Sequence, residues 1–198
     1  MDTGGNPVLL FDRFLRAAAI VYGAPLLILY RLNKNRDIIT ADISRWFEIL
    51  QIDIGWRKGT AYLLGHYPEF RSLFYFRLGW HWQPILWVVR IFYPPCPALY
   101  FYCYEIGPGL FIQHGFSTII GAKRIGKNCW INQQVTIGYV RESNPVIGDN
   151  VIIYAGAQVL GAITIGDNVT VGAGSVVLND VPANCSVFGV PARVVQRR

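Results

Sequence analysis

The chain is poor in residues that hold metals. It has three histidines and four cysteines in 198 residues. Cys96, Cys103, Cys129 and Cys185 stand apart, with no CxxC pair or other ligand spacing. That excludes a zinc ribbon or knuckle, and the four thiols read as small apolar fillers in a reducing compartment. Long apolar runs are missing too. Ala17–Tyr30 is 14 residues, broken by Gly23 and Pro25, against the roughly 20 that a bilayer-spanning helix needs. The start, Met-Asp-Thr-Gly-Gly-Asn-Pro, lacks a basic region, so no signal peptide is expected. Acidic side chains are scarce, 12 against 18 Lys and Arg, for a net charge of +6. This excess fits an anionic ligand or an anionic membrane surface. The basic residues are scattered and form no nucleic-acid-binding motif, so no nucleic-acid partner is expected.

What the chain has instead is a count of six. Ile147, Ile153, Val159, Ile165, Val171 and Val177 are each six residues apart, and so are Ile119, Ile125, Ile131 and Ile137. A helix repeats near 3.6 and a strand at 2, so neither gives an unbroken six. A six-residue aliphatic repeat predicts a parallel β-helix of hexapeptides, three to a coil. In Ile147-Gly148-Asp149-Asn150-Val151-Ile152 the first residue is expected to point into the prism. Gly-Asp-Asn is expected to turn the corner, because Gly accepts a positive φ and Asn or Asp tolerates one. The turn recurs as Gly126-Lys127-Asn128 and Gly166-Asp167-Asn168. Ala157 and Ser175, two residues before the column, are expected to fill tight positions.

Composition divides near residue 105. The first 104 residues hold 22 of the 28 aromatics and the remainder 13 of the 20 Gly. The expected fold is mainly β, with an aromatic-rich α-helical region over 1–104 and the β-helix over 105–198. Ile43, Trp46, Phe47, Leu50 and Ile54 carry helical spacing, with Thr40 as N-cap and Gly55 as stop. Two readings of the aromatic half compete. One is a helical cap packed on a neighbouring subunit. The other is peripheral contact with a membrane interface, because Arg13, Arg16, Arg31, Lys34 and Arg36 flank the first apolar run and Pro84–Tyr104 supplies a second. The mean hydropathy of +0.32 favours the membrane.

Of the three histidines only His114 belongs to the repeat region, and a lone His is a structural residue by default. Its surroundings change that. Ile106-Gly107-Pro108-Gly109 with His114, Gln133-Gln134-Val135-Thr136-Ile137-Gly138, Pro145 to Val151, Ala155-Gly156-Ala157, Gly172 to Val177 and the closing Gly189-Val190-Pro191-Ala192-Arg193 together resemble the hexapeptide-repeat acetyltransferases, which are left-handed parallel β-helices. The chain is most similar to the serine acetyltransferase-like group. Pro68–Leu78 resembles a segment of that group's capsule and exopolysaccharide branch.

The resemblance implies acetyl transfer from acetyl-CoA to a hydroxyl or amine, without a metal. A hydroxyl must lose its proton as it attacks the thioester, and an imidazole suits that task, so His114 is the expected general base. A backbone N–H is the expected oxyanion donor. In this family CoA lies between two β-helices of a homotrimer. Gly138, Ala155, Gly156, Ala173 and Gly174 would let its pantetheine arm approach, and Arg193 would meet its phosphates ahead of the Arg197-Arg198 tail. Glu105, Gln113, Arg141 and Asn144 are the expected acceptor-side residues.

Two departures bear on the acceptor. Serine acetyltransferases carry Asp immediately before the catalytic His, where this chain has Gln113. They place a second His where Arg141-Glu142-Ser143-Asn144-Pro145 has Asn144. Ile137 to Ile147 is ten residues, so Tyr139–Asn144 leaves the prism as a polar loop. The expectation is therefore an O-acetyltransferase acting on a sugar or polysaccharide precursor, small or lipid-linked. It would be cytoplasmic, or peripheral on the inner face of the cell membrane. Serine O-acetylation in cysteine biosynthesis is the alternative. A zinc carbonic anhydrase on such a repeat needs three imidazoles, which this β-helix lacks. A non-catalytic scaffold would be indifferent to loss of His114.

Overall fold

The computed structural model describes residues 7–140 and 143–195, with residues 7–10 described by their backbone alone. Contacts divide the chain into two units, residues 1–36 with 47–95 and residues 37–46 with 96–198.

The second unit is a parallel β-solenoid of three sheets. One joins β1 (Leu99–Phe101), β4 (Thr118–Ile120), β7 (Thr136–Gly138), β10 (Gln158–Leu160) and β13 (Val176–Val177). Another joins β2 (Glu105–Ile106), β5 (Arg124–Ile125), β8 (Val146–Ile147) and β11 (Thr164–Ile165). The third joins β3 (Phe111–Gln113), β6 (Trp130–Asn132), β9 (Ile152–Ile153), β12 (Thr170–Val171), β14 (Ser186–Phe188) and the antiparallel β15 (Arg193–Val195). Like residues stack in register, Ile131 on Ile153 and Ile153 on Val171. Ile147, Ile153, Val159, Ile165, Val171 and Val177 are all buried, as are Ala157 and Ser175.

Two local expectations are corrected. Ile119 is not in the column: it is 39% exposed, and Ile120 is fully buried in its place. The cause is the preceding corner. Ile112 stacks on Ile131 and Ile120 on Ile137, so this coil spends eight positions where the next spends six. The two extra residues lie between β3 and β4, in the corner that carries His114. In the Gly-Asp-Asn turns and their variant Gly126-Lys127-Asn128 it is Asn, not Gly, that takes the positive φ, at Asn128, Asn150 and Asn168, as does Asn184 in Pro182-Ala183-Asn184. Gly is required for a different reason. A Cβ on Gly148 would stand 2.8 Å from the backbone of Gly166 and Asp167 in the next coil, a distance side-chain carbons do not tolerate. The Asn amides also form a ladder, Asn150 Nδ2 donating to Asn168 Oδ1 at 3.0 Å and Asn168 Nδ2 to Asn184 Oδ1 at 2.8 Å.

In the helical unit, α1 (Pro7–Gly23) and α2 (Leu27–Leu32) are joined by a 3₁₀ turn at Ala24–Leu26. The helical stretch Phe11–Leu32 is thus 22 residues, with mean hydropathy 1.4, long and apolar enough to cross a bilayer by length and composition. The sequence run of 14 stops at Arg16 and Arg31, whereas the helical stretch runs past both; Pro25 does not break it, because it sits at the start of the 3₁₀ turn, where its missing N–H costs little. α3 (Arg36–Leu50) begins before Thr40 and ends at Gln51, which is left-handed (φ 53). Gly55 instead precedes α4 (Trp56–His66). α1 and α4 meet through small residues: a Cβ on Gly23 would collide with the Ala61 carbonyl, and one on Gly65 with that of Ala19. In α5 (Pro68–Leu78) the buried Arg71 donates to the carbonyls of Leu64 (2.8 Å), Gly65 (3.0 Å) and Pro94 (3.0 Å). The Pro68–Leu78 segment therefore has a structural task, closing the C-terminal turn of α4. α6 (Gln83–Phe92) ends the unit's helices.

The shifted register is testable. Ile120→Ala should lower stability by about 2–5 kcal/mol and Ile119→Ala by less than about 1 kcal/mol, read from urea unfolding followed by circular dichroism. Equal costs would place both side chains alike.

Candidate active site

His114 follows Gln113, the last residue of β3, and turns the corner in left-handed conformation (φ 60) with its side chain exposed. Ser117, three residues on, is also left-handed (φ 53). The corners of the following coils lie directly along the same edge. Gln113 stacks on Asn132, Gln134 donates its N–H to the Phe116 carbonyl at 3.0 Å, Gly156 to Gln133 at 3.1 Å and Gly174 to Ala155 at 2.9 Å. His114, Ala155, Gly156, Ala173 and Gly174 therefore share one edge. Beyond the Gln133-Gln134 corner the edge is lined by small residues, with Gly156 (φ 71) and Gly174 (φ 64) needing the conformation that glycine adopts freely.

The other expected residues lie elsewhere. Gly138 ends β7, and Asn144 lines an open groove of about 580 Å³ with Tyr104, Lys123, Ser143 and Thr164. That groove runs beside the edge between the first two sheets, not the His114 edge. Glu105 sits in β2, exposed, and pairs with Arg124 at 3.3 Å. Its carboxylate is thus engaged away from the imidazole. Arg193 is exposed in β15, opposite Phe188. Arg141, Arg197 and Arg198 lie outside the described residues. The remaining histidines pack in the helical unit, His66 stacked on Tyr62 at 5.1 Å and His81 against Trp80 at 4.0 Å.

Sequence reasoning missed two sets of residues. The first is on β6 and its corner: the buried atoms Trp130 Nε1, Asn132 Oδ1 and Gln133 Oε1 have no hydrogen-bond partner among the described residues. Buried acceptors without donors are costly, and here they lie one coil from His114. Gln133 belongs to a motif noted above, but its burial could not be read from spacing. The second is Asp42 and Trp46 on α3. Asp42 Oδ1 accepts the N–H groups of Gly109 (2.7 Å) and Leu110 (3.2 Å), and Trp46 Nε1 donates to Leu110 O at 2.9 Å. The Trp46 ring lies 4.6 Å from Phe111, which lies 4.8 Å from Trp130. The chain entering β3, and so His114, is clamped from outside the prism. The signal was a buried-type helix face carrying Asp42 four residues before Trp46.

With this geometry in hand, comparison with known proteins shows what the chain resembles. Residues 144–179 match the family described as bacterial transferase hexapeptide (six repeats). A serine acetyltransferase of Synechococcus elongatus is 39% identical over 166 residues, covering 75% of this chain and 65% of that protein. The chain spans less than half the length of other curated relatives it matches. Among solved structures, Neisseria gonorrhoeae serine acetyltransferase in complex with serine aligns with TM-score 0.64 at 26% identity, over 82% of this chain and 69% of that one. A serine acetyltransferase in complex with CoA shares the fold, with TM-score 0.66 at 24% identity over 86% and 74%. The β-helical part thus resembles a hexapeptide-transferase solenoid, and the relatives it matches are serine acetyltransferases. The expectations of a sugar acceptor and of the exopolysaccharide branch are overturned, because these relatives are serine acetyltransferases. The segment behind the branch assignment, Pro68–Leu78, is explained by the buried contacts of Arg71.

The cysteines offer no competing nucleophile in this unit. Burial pushes the Cys129 thiol up to about 12, so it stays protonated at neutral pH. In native protein at pH 8, all four buried thiols should resist an aromatic disulfide reagent and react only on unfolding. A thiol titrating rapidly in native protein would contradict their burial.

Proposed function

We propose that this protein is an acetyl-CoA-dependent serine O-acetyltransferase. What carries the reading is the exposed His114 at the head of an edge of small residues, in a solenoid whose relatives are serine acetyltransferases. The serine hydroxyl attacks the thioester carbonyl while His114 takes its proton. The tetrahedral intermediate expels the CoA sulfur, and the imidazolium returns the proton to it. The products are O-acetylserine and CoA. The extended pantetheine arm lies along Ala155, Gly156, Ala173 and Gly174, where small side chains let its amides reach the backbone. The exposed Arg193 meets the nucleotide phosphates. The unpaired Asn132 and Gln133 oxygens accept N–H groups from substrate: the serine ammonium or the pantetheine amides are donors of the right kind.

The same reading includes self-association. Asn144 and the groove beside it sit on a different prism edge from His114, so a site using both is assembled from two copies, as in a trimer with sites between subunits. We place the enzyme in the cytoplasm, where acetyl-CoA is available and its thiols stay reduced.

Thioester loss from acetyl-CoA should depend on L-serine and not on sugars. His114→Ala should lower kcat by about 10²-fold or more with the fold intact. Turnover unchanged in that variant, or indifferent to serine, overturns the proposal. Gln133→Leu should raise KM about 10-fold, with a smaller effect on kcat. An unchanged KM for both substrates removes Gln133 from the binding site.

A further inference from the structure

We propose that the helical unit docks on an anionic lipid surface through the outward face of α6 and the adjoining face of α1. α6 is inside out. Its exposed side chains include Ile85, Trp87, Val88, Ile91 and Phe92, between 51% and 74% exposed. Its one charged residue, Arg90, turns inward, with the guanidinium 5.4 Å from the centre of the Tyr75 ring. A helix facing water carries the opposite pattern. The turn before it adds Trp80, 75% exposed. α1 continues the patch: the Tyr22 hydroxyl donates to the Phe92 carbonyl and the Tyr22 and Tyr93 rings lie 4.6 Å apart, so exposed Val21 and Tyr22 adjoin Ile91 and Phe92.

Charge selects the occupant. The helical unit has ten Lys and Arg against five Asp and Glu, whereas the other unit has eight against seven. Five of the six excess positive charges therefore belong to the unit with the apolar face. Arg13 and Arg16 on α1, Arg31 on α2, Lys34 in the turn after it and Arg36 at the start of α3 are exposed. Apolar and Trp side chains flanked by cations fit the boundary between acyl chains and anionic headgroups. Contact is with one side only. The inner side of α1 is held against α4 by the Ala19–Gly23 and Ala61–Gly65 contacts, and α4 exposes Arg57 and Lys58. α1 and α2 therefore lie in the interface rather than cross it.

The full chain should float with vesicles of phosphatidylcholine and phosphatidylglycerol, remain behind with phosphatidylcholine alone, and be released by salt. The double variant Trp87→Glu/Ile91→Glu should lose at least ~10-fold in bound fraction with unchanged assembly size and circular dichroism. Brominated lipid should quench the tryptophan fluorescence of the unaltered protein. Absence of quenching, failure of the unaltered protein to float with anionic vesicles, or undiminished flotation of the double variant would each overturn the proposal. So would a fall in assembly size on substitution, which would mark the face as a contact between copies.

Discussion

The dry aliphatic column inside the solenoid is the constraint from which the site follows. Each coil must set a β-branched side chain over its predecessor, because a gap or an overlap there loses buried contacts worth several kcal/mol. Once the column is satisfied the corners have no freedom along the axis. Residues distant in sequence, such as His114, Gly156 and Gly174, are brought onto one edge. Surplus residues must leave the prism at corners. The count between column residues exceeds six in two places, the corner of His114 and the loop after Gly138. Both are where the sequence departs from a plain repeat, and both carry polar side chains able to meet a substrate.

The His114 edge then divides its tasks by chemistry. An exposed imidazole at a left-handed corner is free to reach a substrate, while Asp42 and Trp46 hold the incoming strand. One coil on, the buried Asn132 and Gln133 amide oxygens have no donor among the described residues, and the small residues beyond them leave the backbone open. In the proposed reading the N–H groups come from the amino acid and the extended chain is the arm of acetyl-CoA.

The six-residue count made the solenoid legible, because like residues must stack. It misplaced Ile119 because spacing alone cannot tell an inward residue from its neighbour once a corner has taken extra residues. Glycine in Gly-Asp-Asn was assigned to the backbone angle, whereas Asn takes that angle and Gly makes room for the next coil. Asp42 and Trp46 were invisible as site residues because their partners, Gly109 and Leu110, are more than sixty positions away. The sugar acceptor was inferred from two side chains taken singly, and a match over 166 residues outweighs them. Hydropathy hinted at the apolar face of the helical unit, but only coordinates show that α6 turns its arginine inward.

The most direct measurement removes the surplus in the His114 corner. Deleting Gly115 and Phe116 restores six positions between Ile112 and Ile120, leaving the column and His114 present in sequence. The account predicts a protein whose thermal midpoint and circular dichroism match the parent, with serine-dependent acetyl transfer at least ~10²-fold lower. A deletion variant that unfolds, or one that turns over at the parent rate, would contradict the claim that the column sets the register and the extra residues present the imidazole.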